Sequence, residues 1–258
     1  MLETSATLPE GALIDTGRDT FAAALRAGEA IWFEGRADQF TEGGDSGSAW
    51  RSRAGVDAVP TNANKQGIDR VPWCDHAGLR CQTGVHCGLV APEVARDAHH
   101  FSMAVIYLPD PEASAQTLLT VNTGYRGGDR KKGNYLFLSD DGAQYTLKDT
   151  KGSVSLEMPA TAPPDRPRML IATLSGGRLA LQENRNAIAQ IKGVPPDMTG
   201  MADLFIGCRS HRSGLQKTLG SSVILDVLFW PQHTLLLPRV TADQAQHAAI
   251  HQHFLWGY

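Results

Sequence analysis

The sequence predicts a mainly β protein: an antiparallel sandwich or barrel, closed by a short C-terminal helix. Three observations carry this. From Phe101 onward, ten short runs rich in β-branched, aromatic and leucine residues follow one another. The segments between them carry turn chemistry, which joins strands by hairpins and excludes a βαβ arrangement. After the last run, a stretch from Val240 onward has the composition of a helix.

Taken in order, Thr16 to Ala27 is rich in helix formers and stops at Gly28, which predicts a short helix within a lead-in of residues 1–30. Residues 31–100 read as irregular, rich in Gly, Asp, Asn, Pro, Cys and Trp. The ten runs then span Phe101–Leu108, Thr117–Asn122, Asn134–Ser139, Ala143–Lys148, Val154–Met158, Arg168–Leu174, Arg178–Glu183, Ala187–Ile191, Asp203–Ile206 and Ser222–Phe229. Alternation in the seventh and eighth puts Leu179, Leu181, Ile188 and Ile191 inward, and Arg178, Gln182 and Gln190 outward or along an edge. Ser139 to Gly142 and Ser175 to Gly177 are hairpin turns, and Asn184 to Asn186 is a third, because Asn tolerates the left-handed region. The four prolines between Pro159 and Pro167 make a loop. The closing helix starts on a capping box with Thr241 as N-cap and Gln244 three residues on, and runs to about Phe254.

The composition sets outer bounds. The chain has 258 residues and a net charge of −3, with 42% hydrophobic and 20% charged residues. A sizeable core follows, and global disorder is excluded. No run approaches the ~18 apolar residues of a membrane span, so no membrane insertion is expected. The near-neutral balance argues against a nucleic-acid binder. Met1 to Gly11 has neither a basic n-region nor an apolar h-region, so synthesis in the cytoplasm without a signal peptide is expected.

Several segments resemble a known family. Asp203 to Ser210 and Leu219 to Phe229 resemble the last two strands of a concanavalin A-like, laminin-G-like jelly roll: a strand ending Ile-Gly, a variable loop, a small-residue step, then a strand ending Asp-Val and an aromatic. Thr241 to Phe254, with Trp256, Gly257 and Tyr258, fill the places of that family's short helix and terminal aromatic-Gly-aromatic. Ala30 to Gly35 resembles its opening strand and Ser48 to Gly55 the segment after it, so the resemblance covers residues 30–258. It implies an antiparallel jelly-roll β-sandwich over residues 31–258, with Trp32 and Trp50 in the core. It also implies a binding module for sugars, proteins or lipids, or a glycosidase. Such domains are common in adhesins, secreted lectins and phage tail or spike proteins. Without an export signal, the setting expected by analogy is the surface of a virion-like or gene-transfer particle. Residues 1–30 would dock on a particle structural protein, and display in several copies, as a homo-oligomer, would raise affinity.

The residues favour binding over catalysis. Hydrolytic relatives of this fold carry Glu-x-Asp-x-x-Glu on one strand, which strand alternation gathers on one face. No such run is present; Glu112, Asp140, Asp141 and Glu157 lack partners two positions away in a strand, and Glu183 and Asp226 lie on different runs. A G-x-S-x-G elbow and a phosphate loop are also absent. The chain is therefore expected not to be an enzyme. Two polar loops carry the chemistry that recognises sugars: amide and guanidinium hydrogen bonding plus an aromatic face, with Arg to pair acidic sugars. One offers Asn122, Tyr125, Arg126, Asp129, Arg130 and Asn134, the other Arg209, His211 and Arg212. Trp73, between Pro72 and Cys74, is added as a stacking residue. These ten are the expected carbohydrate-binding residues, and a cell-surface or capsular polysaccharide is the expected partner. The bland alternative is that both loops are solvated hairpin tips.

Metal chemistry stays open. Cys74, His76, Cys81, His86 and Cys87 lie within 14 residues, but their spacing is not that of common zinc sites. A disulfide among them, or reduced and buried thiols, are the rivals. Cys208 reads as a core or strand-end residue. His247 and His251 stand at i and i+4 and could share a metal, but no third ligand is placed by sequence, so a packing pair is expected. No cofactor is expected; calcium, which laminin-G-like domains often hold at the rim, would have to use Asp129, Asp140 and Asp141.

Overall fold

The computed structural model describes residues 16–41, 48–61, 67–82, 85–110, 116–123, 134–211 and 221–258. Helix α1 (Thr16–Ala27) is followed by β1 (Ile31–Phe33), β2 (Phe40–Thr41), β3 (Ala49–Arg51), β4 (Asp57–Pro60), β5 (Ile68–Trp73), β6 (His76–Cys81) and β7 (Leu89–Arg96). Then come β8 (His100–Leu108), β9 (Gln116–Asn122), β10 (Tyr135–Asp140), β11 (Gln144–Asp149), β12 (Ser155–Pro159), β13 (Arg168–Ser175), β14 (Arg178–Glu183), β15 (Ala189–Lys192), β16 (Met201–Ile206), β17 (Val223–Trp230) and helix α2 (Thr241–Gly257). All ten runs expected from Phe101 onward are strands. The fold is a sandwich of two antiparallel sheets with a C-terminal helix, as the sequence predicts.

The eight-stranded sheet runs β15-β14-β13-β8-β17-β6-β5, with β1 also on β17. The nine-stranded sheet runs β12-β11-β10-β9-β16-β7-β4-β3-β2. Between them, Phe101, Met103, Val105 and Tyr107 of β8, Leu170, Ala172 and Leu174 of β13, and Val227 and Phe229 of β17 meet Leu119, Val121, Leu136, Leu138, Leu147, Leu204 and Ile206. Burying such side chains contributes roughly 1.5–3 kcal/mol each.

The outer face of the eight-stranded sheet is apolar too. Ala104, Ile106, Met169, Ile171, Leu228 and Trp230 pack under Phe21 and Leu25 of α1, Leu235 to Leu237, and Ile250 of α2. Gln246 locks this layer: it accepts from Trp230 Nε1 at 3.0 Å and donates to Ala24 O at 2.7 Å. Trp32 and Trp50 are buried as expected, and Trp230 lies beneath α2.

One edge of the core holds a buried polar chain. Tyr107 Oη donates to Asp140 at 2.6 Å, and Gly142 N to the same carboxylate at 2.7 Å. Arg168, almost wholly buried, lies 3.5 Å from Asp140 and 3.2 Å from Tyr145 Oη. Tyr145 and Thr161 in turn donate to Glu183. These donors hold Asp140 and Glu183 inside the fold. Asp226 is tied elsewhere, to Gly35 N at 2.6 Å and His253 Nε2 at 2.7 Å, so Glu183 and Asp226 do not pair with each other.

Four local expectations are corrected. Among the described residues, 31–100 hold seven strands, β1 to β7. They escape notice because β1, β2 and β3 have only two or three residues and proline marks three others: Pro60 ends β4, Pro72 lies on the edge strand β5, and Pro92 precedes Glu93 (φ 56°) at the register shift of β7 against β16. Ile188 and Ile191 are about 40% exposed, because β15 is an outer edge strand with no neighbour to cover them. Gln182 points outward as expected, but is buried under α2. The N-cap of α2 is Val240, not Thr241; Asp243 accepts from the backbone N–H of Arg239 (2.7 Å) and Val240 (3.2 Å), and the helix runs on to Gly257.

Candidate functional site

The outer face of the nine-stranded sheet differs in chemistry from its counterpart. Alternation sends Leu136 and Leu138 of β10 inward, and therefore Tyr135, Phe137 and Ser139 outward. The same rule turns out Thr120 and Asn122 of β9, Asp203 and Phe205 of β16, Val90 of β7, and Thr146 and Lys148 of β11. Register aligns them in rows. Lys148, Phe137, Thr120, Phe205 and Val90 are successive cross-strand partners, and Tyr135, Asn122 and Asp203 form the next row.

The chain leaving β16 folds back over this face. Gly207 makes the turn at φ 76°, where a Cβ would stand 2.8 Å from Cys81 Sγ, and its N–H donates to Leu118 O. Arg209 then lies with its guanidinium carbon 3.6 Å from the Phe137 ring centroid, while its Nε donates to Thr117 Oγ1 at 3.0 Å. His211 sets its ring edge-on to Phe205 at 5.1 Å. Burial lowers the pKa of Arg209, while the neighbouring Tyr135 acts to raise it. Burial also lowers His211, partly offset by Asp203, so its imidazole is neutral near pH 7.

Three of the expected binding residues gather here. Asn122 Nδ2 donates to Arg209 O at 3.4 Å, and Asn134 O accepts from Thr123 N at 3.0 Å. Asn134 Oδ1 accepts from Tyr135 N at 3.0 Å, so this residue positions the strand start. Asn122, Arg209 and His211 thus share one sheet face, while the buried Asn134 side chain bonds backbone at the start of β10. Trp73 does not join them. It sits on β5 of the other sheet, stacked on Tyr258 at 5.8 Å and next to His76. Tyr125, Arg126, Asp129, Arg130 and Arg212 lie outside the described residues.

Sequence reasoning missed Tyr135, Phe137 and Thr117. The signal was available: Tyr135, Phe137 and Ser139 stand at period two opposite the core leucines, so two aromatic rings had to face away from the core.

The cysteine segment splits. Cys81, Cys87 and Cys208 are buried close together as free thiols, Cys74 is an exposed free thiol, and His76 turns away to Gly257 O and Tyr258. Contact with Cys87 and burial push the Cys81 thiol up. Asp140 faces donors, and Asp141 caps Ala143 N and Gln144 N, so neither presents a carboxylate to calcium. Among the described residues, no three His, Cys, Asp or Glu side chains are grouped to hold a metal, and no helix is long and apolar enough to cross a membrane.

No protein-family model matches the chain, and no curated protein matches it by sequence. Solved structures do match its fold. A Trypanosoma rangeli sialidase in complex with 2,3-difluoro-KDN is 16% identical, with a TM-score of 0.57, over 87% of this chain and 33% of that one. The same sialidase in complex with sialic acid is 16% identical with a TM-score of 0.55. A Ruminococcus gnavus IT-sialidase CBM40 bound to α2,3 sialyllactose is 16% identical over 59% of this chain, with a TM-score of 0.42. This chain spans about a third of the T. rangeli sialidase, and what the two share is a β-sandwich fold.

Proposed function

We propose that the chain is a non-catalytic glycan-binding module, and that its ligand, an acidic cell-surface polysaccharide, lies across the outer face of the nine-stranded sheet. The observation that carries this is Arg209. Its guanidinium is laid flat on Phe137 and anchored through Nε to Thr117, beside Tyr135 and Asn122. A planar cation fixed in a half-buried position pairs with a sugar carboxylate more strongly than a solvated one does. Tyr135 adds a ring for the C–H face of a sugar, Ser139 and Thr146 add hydrogen-bonding groups, and buried Asn122 holds the Arg209 backbone in place. Each contact is weak, and repeated display on a virion-like particle would multiply them. Deleting residues 1–15, which leaves α1 in place, tests that setting: the protein should leave the particle yet keep its glycan.

The experiment is a screen of the purified chain on an array of acidic and neutral glycans, sialic acid-bearing and uronic acid-bearing sugars included. Binding to acidic members, weakening as salt rises and releasing no reducing ends, supports the reading. Binding to no glycan, or release of sugar fragments by the wild type that ceases in Asp203→Asn, contradicts it.

A further inference from the structure

On the opposite side of the sandwich, α2 presents His247 and His251 one turn apart toward β14. Their Nε2 atoms are 2.9 Å from each other. Gln182 Oε1, from β14, lies 2.8 Å from Nε2 of His247 and 3.1 Å from Nε2 of His251. The three atoms close a small triangle. The Gln182 amide cannot be turned round without loss, because its Nε2 donates to Asn186 O at 2.8 Å. It is therefore the carbonyl oxygen that faces the two imidazoles.

Hydrogen bonding alone leaves this cluster short. Nδ1 of His251 is buried without a partner. If His251 carries its proton on Nε2, that buried Nδ1 is an orphaned acceptor. If it carries the proton on Nδ1, the form that leaves Nε2 free to ligate, the buried N–H is an orphaned donor, and one proton at most, from His247, lies among the three converging atoms. Burial lowers the pKa of both imidazoles, His251 to about 4, so both are neutral near pH 7. Neutral imidazole is the ligating form.

We propose that Gln182 Oε1, His247 Nε2 and His251 Nε2 form a site for one divalent transition-metal ion of the zinc, nickel or copper class, with water in a further position. A tetrahedral ion bound at about 2.0–2.1 Å holds its ligands roughly 3.3 Å apart, so each side of the triangle opens by only a few tenths of an ångström. Imidazole and amide oxygen suit these ions better than calcium or magnesium. Arg185 acts on His251 as a nearby cation and opposes the ion, so the site is weaker than one built with thiolates. The ion would pin α2 to β14 and stabilise the folded chain by linkage.

The test uses the full chain freed of metal by a chelator, then titrated with Zn²⁺ by calorimetry and thermal unfolding, and with Co²⁺ by visible absorption. The expected result is one ion per chain, a higher Tm with Zn²⁺, and a Co²⁺ spectrum without thiolate charge-transfer bands. His247→Ala should weaken Zn²⁺ at least tenfold and remove the Tm rise, and Gln182→Glu should tighten binding. If His247→Ala fails to fold, Gln182→Glu and the Co²⁺ bands still decide. Equal Zn²⁺ affinity in wild type and His247→Ala, thiolate bands with Co²⁺, or no tightening in Gln182→Glu overturns the site.

Discussion

The two outer faces of the sandwich come from the same chain and the same strand geometry, yet one is roofed by helices, while the other is covered over β9 and β16 and meets solvent along β11 and β12. On the eight-stranded sheet, β8 and β13 are buried on both sides, and Ala104, Ile106, Met169 and Ile171 meet the two helices. On the nine-stranded sheet, β11 and β12 alternate strictly between buried and accessible positions. A continuous apolar run therefore marks a strand with a layer on each side, and alternation marks one that faces water. The roofed face packs against the helices, and the other leaves Tyr135, Arg209 and Lys148 partly exposed.

That contrast can be broken deliberately, most strongly from the roofed side. Trp230→Ala removes the ring under α2 and orphans Gln246, and should cost about 3–5 kcal/mol in urea unfolding. An effect below about 1 kcal/mol would mean that α2 is not part of the packed body. Arg168→Met strands Asp140 inside the fold and should cost about 3 kcal/mol, unless Asp140→Asn is made with it. The double mutant should recover most of the loss, and no recovery would remove the ion pair from the account.

Acid should loosen the roof as well. His251 has a folded pKa depressed to about 4 by burial, below its ordinary 6.5. The unfolded chain therefore takes up the proton first. The stability this group contributes is complete above about pH 6.5 and is lost as pH falls toward 4. In chelator-containing buffer, the stability advantage of wild type over His251→Asn should shrink across that window; a constant difference would contradict burial of the neutral ring. The smallest effect belongs to the edge. Ile191→Thr on β15 should change stability by no more than about 0.5 kcal/mol, since its side chain already meets solvent.

Legibility of the sequence follows the same division. The strands from β8 onward were readable because they are long, apolar or alternating, and separated by Asp-Gly, Gly-Gly and Asn turns. The strands before β8 were not, because the two or three residues of β1, β2 and β3 carry no period, and the prolines of β4, β5 and β7 look like loop residues. In the candidate site, loop composition pointed to Asn122, Arg209 and His211, while Tyr135 and Phe137 lay unread inside a strand. Trp73 looked like a free stacking ring, but the ring that takes its face, Tyr258, is 185 positions away in sequence. Gln182 as a third partner of His247 and His251 was illegible for the same reason: only folding brings β14 beneath α2.

The most direct test of the central claim compares one substitution on each side of the sandwich. Affinity for the acidic glycan that binds best is measured by calorimetry for wild type, Arg209→Ala and Trp73→Ala. The account predicts that Arg209→Ala stays folded but weakens binding at least tenfold, about 1.4 kcal/mol, while Trp73→Ala binds like wild type. Full affinity in Arg209→Ala, with binding lost in Trp73→Ala, would contradict it and move the site to the other sheet.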